Sequence, residues 1–281
     1  MSVLPSLPRL KVVDVGAMSL GPGSQPPYAR LVKMLGCDVI GFEAVARECD
    51  KLNREAAPGQ KFLPYFVGDG GRHRFHECNF PMTSSLLPPN TPLLEKFQNL
   101  ENLTQVVSVQ EVETTRLDDL EEVRGTDLLK VDVQGGELLV YRGAERTLRE
   151  ALVVHTEVEF VPLYEGQPLF GDIDQHLRAR GFCFHRFHAV SGRTLKPLVY
   201  QGNINEPMSQ MLWGDAIYVR DFMSFDRLAP ASLQKLAAIL HENYRSFDLA
   251  SLALAAHDRQ TGGDLQAQYL ARFQSDSQQP S

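Results

Sequence analysis

The chain has 281 residues, 43% hydrophobic and 22% charged, with a formal net charge of −7, a composition that suits one sizeable globular core plus an appendage. The acidic balance and the lack of any Lys/Arg cluster exclude an electrostatic nucleic-acid surface; the nearest candidate, Arg178-Ala179-Arg180, reads as a solvated helix end. No apolar run is long enough to span a bilayer, and residues 1–11 carry neither a basic start with an apolar stretch nor a cleavage site, so a cytoplasmic protein without membrane association is expected.

Leu10 to Val15 is a short, β-branched, almost uninterrupted apolar run, the pattern of a strand buried on both faces of a parallel sheet. It ends in Asp14-Val15-Gly16-Ala17, and a Gly/Pro loop from Gly21 to Pro27 then leads to helical spacing over 28–36 with a terminal glycine. A second strand over 38–42 closes at Glu43. A helix over 44–55 precedes a third strand over 62–67, which stops at Gly68-Asp69. Residues 72–107 are less regular, with a polar β-like piece at 74–78, a Thr/Ser loop at 82–86 and a proline-rich turn; an extended segment at 105–112 follows. The alternation of strand and helix resumes with a strand over 128–133, a helix over 137–149, a strand over 152–158, a helix over 173–180 and a strand over 182–187. The loop 189–210, about twenty residues, exceeds a simple connection and is expected to be a lid or binding loop. After a final strand over 213–220, Pro230 to Phe273 shows helical periodicity alone, with Leu233, Leu236, Ile239, Leu240 and Tyr244 on one face. The expected organisation is an α/β domain at 1–222, a C-terminal helical extension at 223–273 and a polar, disordered tail at 274–281.

Carboxylates recur where strands end, and that edge of an open α/β sheet is where ligands bind. The loop from Asp14 through Gly16-Ala17 to Gly21 is a strand-to-helix turn of small residues that brings backbone close to a ligand, although alone it also reads as a tight turn. Met18 occupies the place of the second glycine of the dinucleotide fingerprint. Glu43 stands where Rossmann-like folds put an acid on ribose hydroxyls, and Asp69 follows the third strand. Each acid taken singly also reads as a helix N-cap. The three in register point to a bound nucleoside, either a nicotinamide cofactor or S-adenosylmethionine. Cys37, Cys49, Cys78 and Cys183 have neither C-x-x-C nor zinc-site spacing and read as reduced packing residues.

A set of motifs resembles the FkbM-type family of S-adenosylmethionine-dependent methyltransferases. It comprises Asp14-Val15-Gly16-Ala17, Gly41-Phe42-Glu43, Val67-Gly68-Asp69-Gly70, Ser84-Ser85-Leu86, Thr115 to Leu120, Leu129 to Leu138 with Arg142-Gly143-Ala144, and the strand reaching Glu157. The chain departs from the family at Gln134, where glutamate is usual, and in a longer glycine loop. The resemblance covers residues 10–222 and implies a class I methyltransferase fold, a Rossmann-like seven-stranded sheet, parallel except for one reversed strand near an edge, with helices on both faces. It implies S-adenosylmethionine as cofactor, with Asp14 and the Gly16-Ala17 backbone at the methionine end, Glu43 on the ribose and Asp69 facing the adenine.

Methyl transfer to an alcohol requires alignment of the nucleophile and removal of its proton. Asp132, Glu137, His155 and Glu157 are the candidate catalytic or acceptor-orienting groups, Asp132 first because it ends the central strand; His155 also reads as a hydrogen-bonded core residue. Strand periodicity puts His155, Glu157 and Glu159 on one face. A metal held by Asp132, Glu137 and Glu157 has no support in ligand spacing, and none is expected. The reading is O-methylation of a small-molecule or sugar hydroxyl, so the expected partner is a small-molecule or glycan acceptor, with neither nucleic acid nor membrane. The C-terminal helices are a candidate homodimer contact. The alternatives are a NAD-type oxidoreductase, disfavoured by the missing fingerprint and the absence of a Tyr-x-x-x-Lys pair, and a non-catalytic binding module.

Overall fold

Apolar runs such as Lys11–Val15 and Leu128–Val131, and more polar alternating segments such as Arg72–Cys78, become the strands of the computed structural model, which describes the backbone of residues 8–18 and 25–277 and side chains as far as residue 272. The expected loop at Gly21 to Gly23 and the end of the tail, residues 278–281, lie outside the described residues. The strands are β1 (Lys11–Val15), β2 (Asp38–Phe42), β3 (Gln60–Leu63), β4 (Arg72–Cys78), β5 (Val106–Glu113), β6 (Leu128–Val131), β7 (Val153–Glu159), β8 (Phe182–Ser191) and β9 (Trp213–Arg220). The helices are α1 (Ala29–Leu35), α2 (Ala46–Glu55), α3 (Thr91–Leu94), α4 (Leu100–Leu103), α5 (Glu137–Arg142), α6 (Glu145–Glu150), α7 (Phe170–Arg178), α8 (Pro230–Glu242), α9 (Phe247–Thr261) and α10 (Leu265–Ser277).

Among the described residues, seven strands form one sheet in the order β3-β2-β1-β6-β7-β9-β8. Its pairs are parallel except those of β9, which runs antiparallel to both β7 and β8. This is the α/β class I methyltransferase arrangement expected from the sequence, with one reversed strand next to an edge. β4 and β5 pair antiparallel in a separate two-stranded sheet.

Alternation along each strand divides the core into two faces. Val12, Leu128, Val153 and Ile217 pack with α1, α8 and α9, while Val13, Leu129, Val154 and Tyr218 pack with α5, α6 and α7. The C-terminal helices therefore belong to the main core: Leu233, Leu236, Ile239, Leu240 and Tyr244 are spent on the protein's own sheet. α10 continues to Ser277, into the stretch read from sequence as tail.

Two boundaries differ from the sequence reading for local reasons. β3 ends at Leu63 rather than at 67 because Pro64 has no amide for the ladder, and the chain turns with Tyr65 N donating to Leu63 O at 3.0 Å. The helix expected over 137–149 splits at Gly143, where any Cβ would lie 2.0 Å from the carbonyl oxygen of Gly68. Asp118 restarts it as α6 by accepting from the amides of Arg146 and Thr147 at 2.7 and 3.0 Å.

Candidate functional site

Parallel strands deliver their carboxyl ends to one edge, and sheet register decides which side chains meet there. Asp14 on β1 pairs in register with Lys130 on β6, and Lys130 with His155 on β7. Further along, Glu157 on β7 faces Asp215 on β9. A cavity of about 490 Å³ opens at this edge. Its wall combines Asp14, Gly16, Phe42, Glu43, Tyr65 and Phe66, at or just after the ends of the first three strands, with Lys130, Asp132 and Gln134 from the centre. Phe75, Met82 and Ser85 come from β4 and the loop after it, and His188 and Asp215 from β8 and β9.

Asp14 is buried and held from two sides. Tyr28 donates its hydroxyl to Oδ2 at 2.7 Å, and Lys130 Nζ lies 3.1 Å from Oδ1. Lys130 also donates to Gly16 O at 3.0 Å and lies 3.6 Å from Asp132 Oδ2. Burial works against its positive charge, but the carboxylates of Asp14 and Asp132 outweigh it and keep the ammonium's pKa above the ordinary lysine value. One cation thus ties β1, its glycine turn and β6 together. Gly16 has φ +81°, and a Cβ there would stand 1.9 Å from Asp132 O, so only glycine fits between the two strand ends.

Glu43 is 4% exposed at the end of β2. Its Oε1 accepts from Val45 N at 2.8 Å. Burial raises its pKa, as expected of a carboxylate whose remaining acceptor capacity is not met by solvent. Asp132, half-buried, has burial pushing its pKa up, but Lys130 first and then the Gln134 amide hold it below the usual carboxylate value. Glu157 moves the other way: burial and then the negative charge of Asp132 lift it well above the usual value. Between them Gln134 Nε2 donates to Asp132 Oδ1 at 2.9 Å and to Glu157 Oε2 at 2.7 Å.

Several expected site residues stand elsewhere. Asp69 is away from the cavity wall, because β3 ends six residues before it; it accepts from Gly71 N at 3.0 Å and pairs with His73 Nε2 at 2.8 Å. The amides of Gly16 and Ala17 both donate to Phe42 O, at 3.0 and 2.9 Å, so they tie the turn after β1 to the end of β2, and Ala17 does not line the cavity. Glu137 is 1% exposed and folds back, its Oε1 accepting from Val133 N at 2.9 Å and Gly135 N at 3.2 Å. It caps the turn into α5 and is no part of the wall. His155 is buried behind the wall, its Nδ1 3.3 Å from the Tyr244 hydroxyl and its Nε2 3.8 Å from Asp215 Oδ1. Glu157 is not part of the wall; it stands behind Gln134 and Asp132, hydrogen-bonded to both. Of the catalytic candidates, Asp132 alone faces the cavity. Among the described residues, no group of three or more His, Cys, Asp or Glu side chains is arranged to hold a metal.

Lys130, Gln134 and Tyr28 were not singled out from sequence as site residues. Lys130 had a readable signal, since an ammonium inside the apolar run Leu128-Leu129-Lys130-Val131 must find carboxylates or leave the core. Tyr28 had none, because only the fold brings α1 under the end of β1.

The family description "Methyltransferase FkbM domain" matches residues 14–184. No curated protein matches the chain. Among solved structures, the chain is similar to magnesium protoporphyrin IX methyltransferase from Synechocystis PCC 6803 with bound SAM, at 13% identity and a TM-score of 0.39, over 76% of this chain and 71% of that one. It is similar also to the methyltransferase FkbM of Methylobacillus flagellatus KT, at 14% identity and a TM-score of 0.40, over 77% of this chain and 45% of that one. These two likenesses are too distant to carry a functional argument. The family match spans more than half of the chain and covers the cavity wall from Asp14 to Gln134, though not His188 and Asp215.

Proposed function

The chain belongs to the FkbM methyltransferase family, and we propose that it transfers a methyl group from S-adenosylmethionine to a hydroxyl of a small molecule or glycan. The observation that carries this reading is the single cavity joining the β1–β3 end of the sheet to the β6–β9 end, with Asp132 between the two. The residues present fit the cofactor. Glu43 brings a buried carboxylate with an oxygen left for a ribose diol, Tyr65 and Phe66 offer apolar surface for a purine, and Asp14 and Asp132 favour a cationic ligand. S-adenosylmethionine supplies a methyl group made electrophilic by its sulfonium.

This chain has to orient the acceptor and take its proton. Asp132 suits that work because Lys130 and Gln134 keep it ionised while it faces the cavity. An acceptor hydroxyl would donate its hydrogen bond to the Asp132 carboxylate, which would align the oxygen lone pair and take the proton as the methyl C–S bond gives way to the new C–O bond and S-adenosylhomocysteine leaves. Phe75, Met82 and Leu86 give the acceptor side its apolar surface, and Glu77, Ser84 and Ser85 beside them offer a carboxylate and two hydroxyls for orientation. A NAD-dependent reading would need the dinucleotide fingerprint that Met18 interrupts. Calorimetry separates the two: S-adenosylhomocysteine is expected to bind in the micromolar range, about −8 kcal/mol, and NAD not at all. Binding of NAD alone would overturn the proposal.

A further inference from the structure

Gln134 occupies a backbone conformation, φ +56°, that disfavours any side chain but costs glycine nothing. The side chain held there makes contacts a glycine could not. Its Nε2 reaches Asp132 Oδ1 at 2.9 Å and Glu157 Oε2 at 2.7 Å, and the Tyr164 hydroxyl stands 3.3 Å from its Oε1. Its main-chain carbonyl accepts from Ser85 Oγ at 2.6 Å, and the same Ser85 oxygen accepts from Leu87 N at 3.0 Å. Both Gln134 and Ser85 line the cavity. A residue strained at the junction of the central strand, β7 and the acceptor-side loop is held by its contacts.

We propose that Gln134 is a positioning residue: its side-chain amide clamps Asp132 and Glu157 into one unit that aims the Asp132 carboxylate at the acceptor, while its carbonyl anchors the acceptor-side loop through Ser85. The proposal rests on the reading of Asp132 as the group that takes the acceptor proton. An amide NH2 is suited to this because it donates two hydrogens and carries no charge, so two carboxyls can stand side by side with a single proton between them. The groups facing the pair are Asp14 from β1, Lys130 from β6, Glu137 from α5, Glu159 from β7, Asp215 across on β9 and Tyr164. Of these Lys130 is the cation, and the Gln134 amide and the Glu157 carboxyl are the further donors that keep Asp132 ionised.

The clamp and the anchor can be cut separately. Gln134→Gly keeps the turn and its carbonyl but deletes the amide; Gln134→Met, of similar length without donors, repeats the deletion should the glycine variant melt early. Ser85→Ala removes the anchor and leaves the amide. The Asp132 carboxyl is followed by 13C NMR titration of full-length protein, which needs no acceptor, and kcat and KM are followed once an acceptor is found. Loss of the amide is expected to move the Asp132 titration, and the acid limb of kcat/KM, upward by roughly one pH unit, with acceptor KM within a few-fold. Ser85→Ala is expected to raise acceptor KM and leave the titration in place. An unmoved Asp132 titration in both Gln134 variants, or an equal movement in Ser85→Ala, would overturn the proposal. Failure of the wild type to bind S-adenosylhomocysteine would instead remove the methyltransferase reading, and the NMR titration would still decide the clamp.

Discussion

Glu137→Gln tests whether this acid is a structural cap, as its geometry says, and the size of the effect follows from its surroundings. Glu137 is 1% exposed and accepts from Val133 N and Gly135 N. Burial, outweighing those two bonds, lifts its pKa from an ordinary 4.5 to about 7. A carboxyl whose folded pKa lies above its unfolded value binds its proton more tightly when folded. Its contribution is therefore complete below about pH 4.5 and is lost as pH rises through about 7. The difference of about 2.5 pH units corresponds to about 3 kcal/mol. Glutamine keeps an oxygen for the two amides and cannot ionise, so it should lack this pH-dependent loss. Urea melts of both proteins at a series of pH values from 4 to 8 should give stabilities that diverge by about 3 kcal/mol toward the alkaline end, with the variant ahead. Turnover at neutral pH should stay close to wild type. Parallel stability curves would refute the assignment of a buried, proton-binding cap, and a large loss of turnover with the fold intact would return Glu137 to the catalytic machinery. Glu137→Ala, by contrast, leaves both turn amides without an acceptor and should cost about 1–3 kcal/mol for each.

Three further substitutions probe the cavity itself. Glu43→Ala should weaken S-adenosylhomocysteine binding by about 1.5–3 kcal/mol, the scale of hydrogen bonds to a charged group; calorimetry showing unchanged affinity together with a collapsed melting temperature would make Glu43 only the cap of Val45 N. Asp132→Asn should lower turnover by roughly 10²–10⁴ while S-adenosylhomocysteine affinity stays within a few-fold, and rates equal to wild type would move the proton-accepting role to another group. Gly16→Ala places a methyl 1.9 Å from the Asp132 carbonyl in a left-handed backbone, so melting temperature and cofactor affinity should fall together; an unaltered thermal melt would contradict the close approach of β1 and β6.

Strand and helix order, the mostly parallel sheet and the glycine turn after β1 were readable from residues because each depends on local pattern: short β-branched runs, terminal glycines, acids at strand ends. Asp14, Gly16, Glu43 and Asp132 were readable for the same reason, since a side chain at the carboxyl end of a parallel strand arrives at the binding edge whatever the rest of the chain does. Asp69 escaped that logic because Pro64 ends β3 early and moves the acid off the edge. Glu137, His155 and Glu157 looked equivalent to Asp132 as a string of ionisable residues. Their separation depends on where each carboxyl or ring points and what it meets: two turn amides, the Tyr244 hydroxyl and the Gln134 amide. Those partners come from the turn after β6, from the connection between α8 and α9 and from Gln134, as far as 89 residues away in the case of Tyr244. Local periodicity carries no information about such contacts, because the energy of a buried charge is set by the few atoms within hydrogen-bonding reach, and only the packed tertiary structure decides which atoms those are.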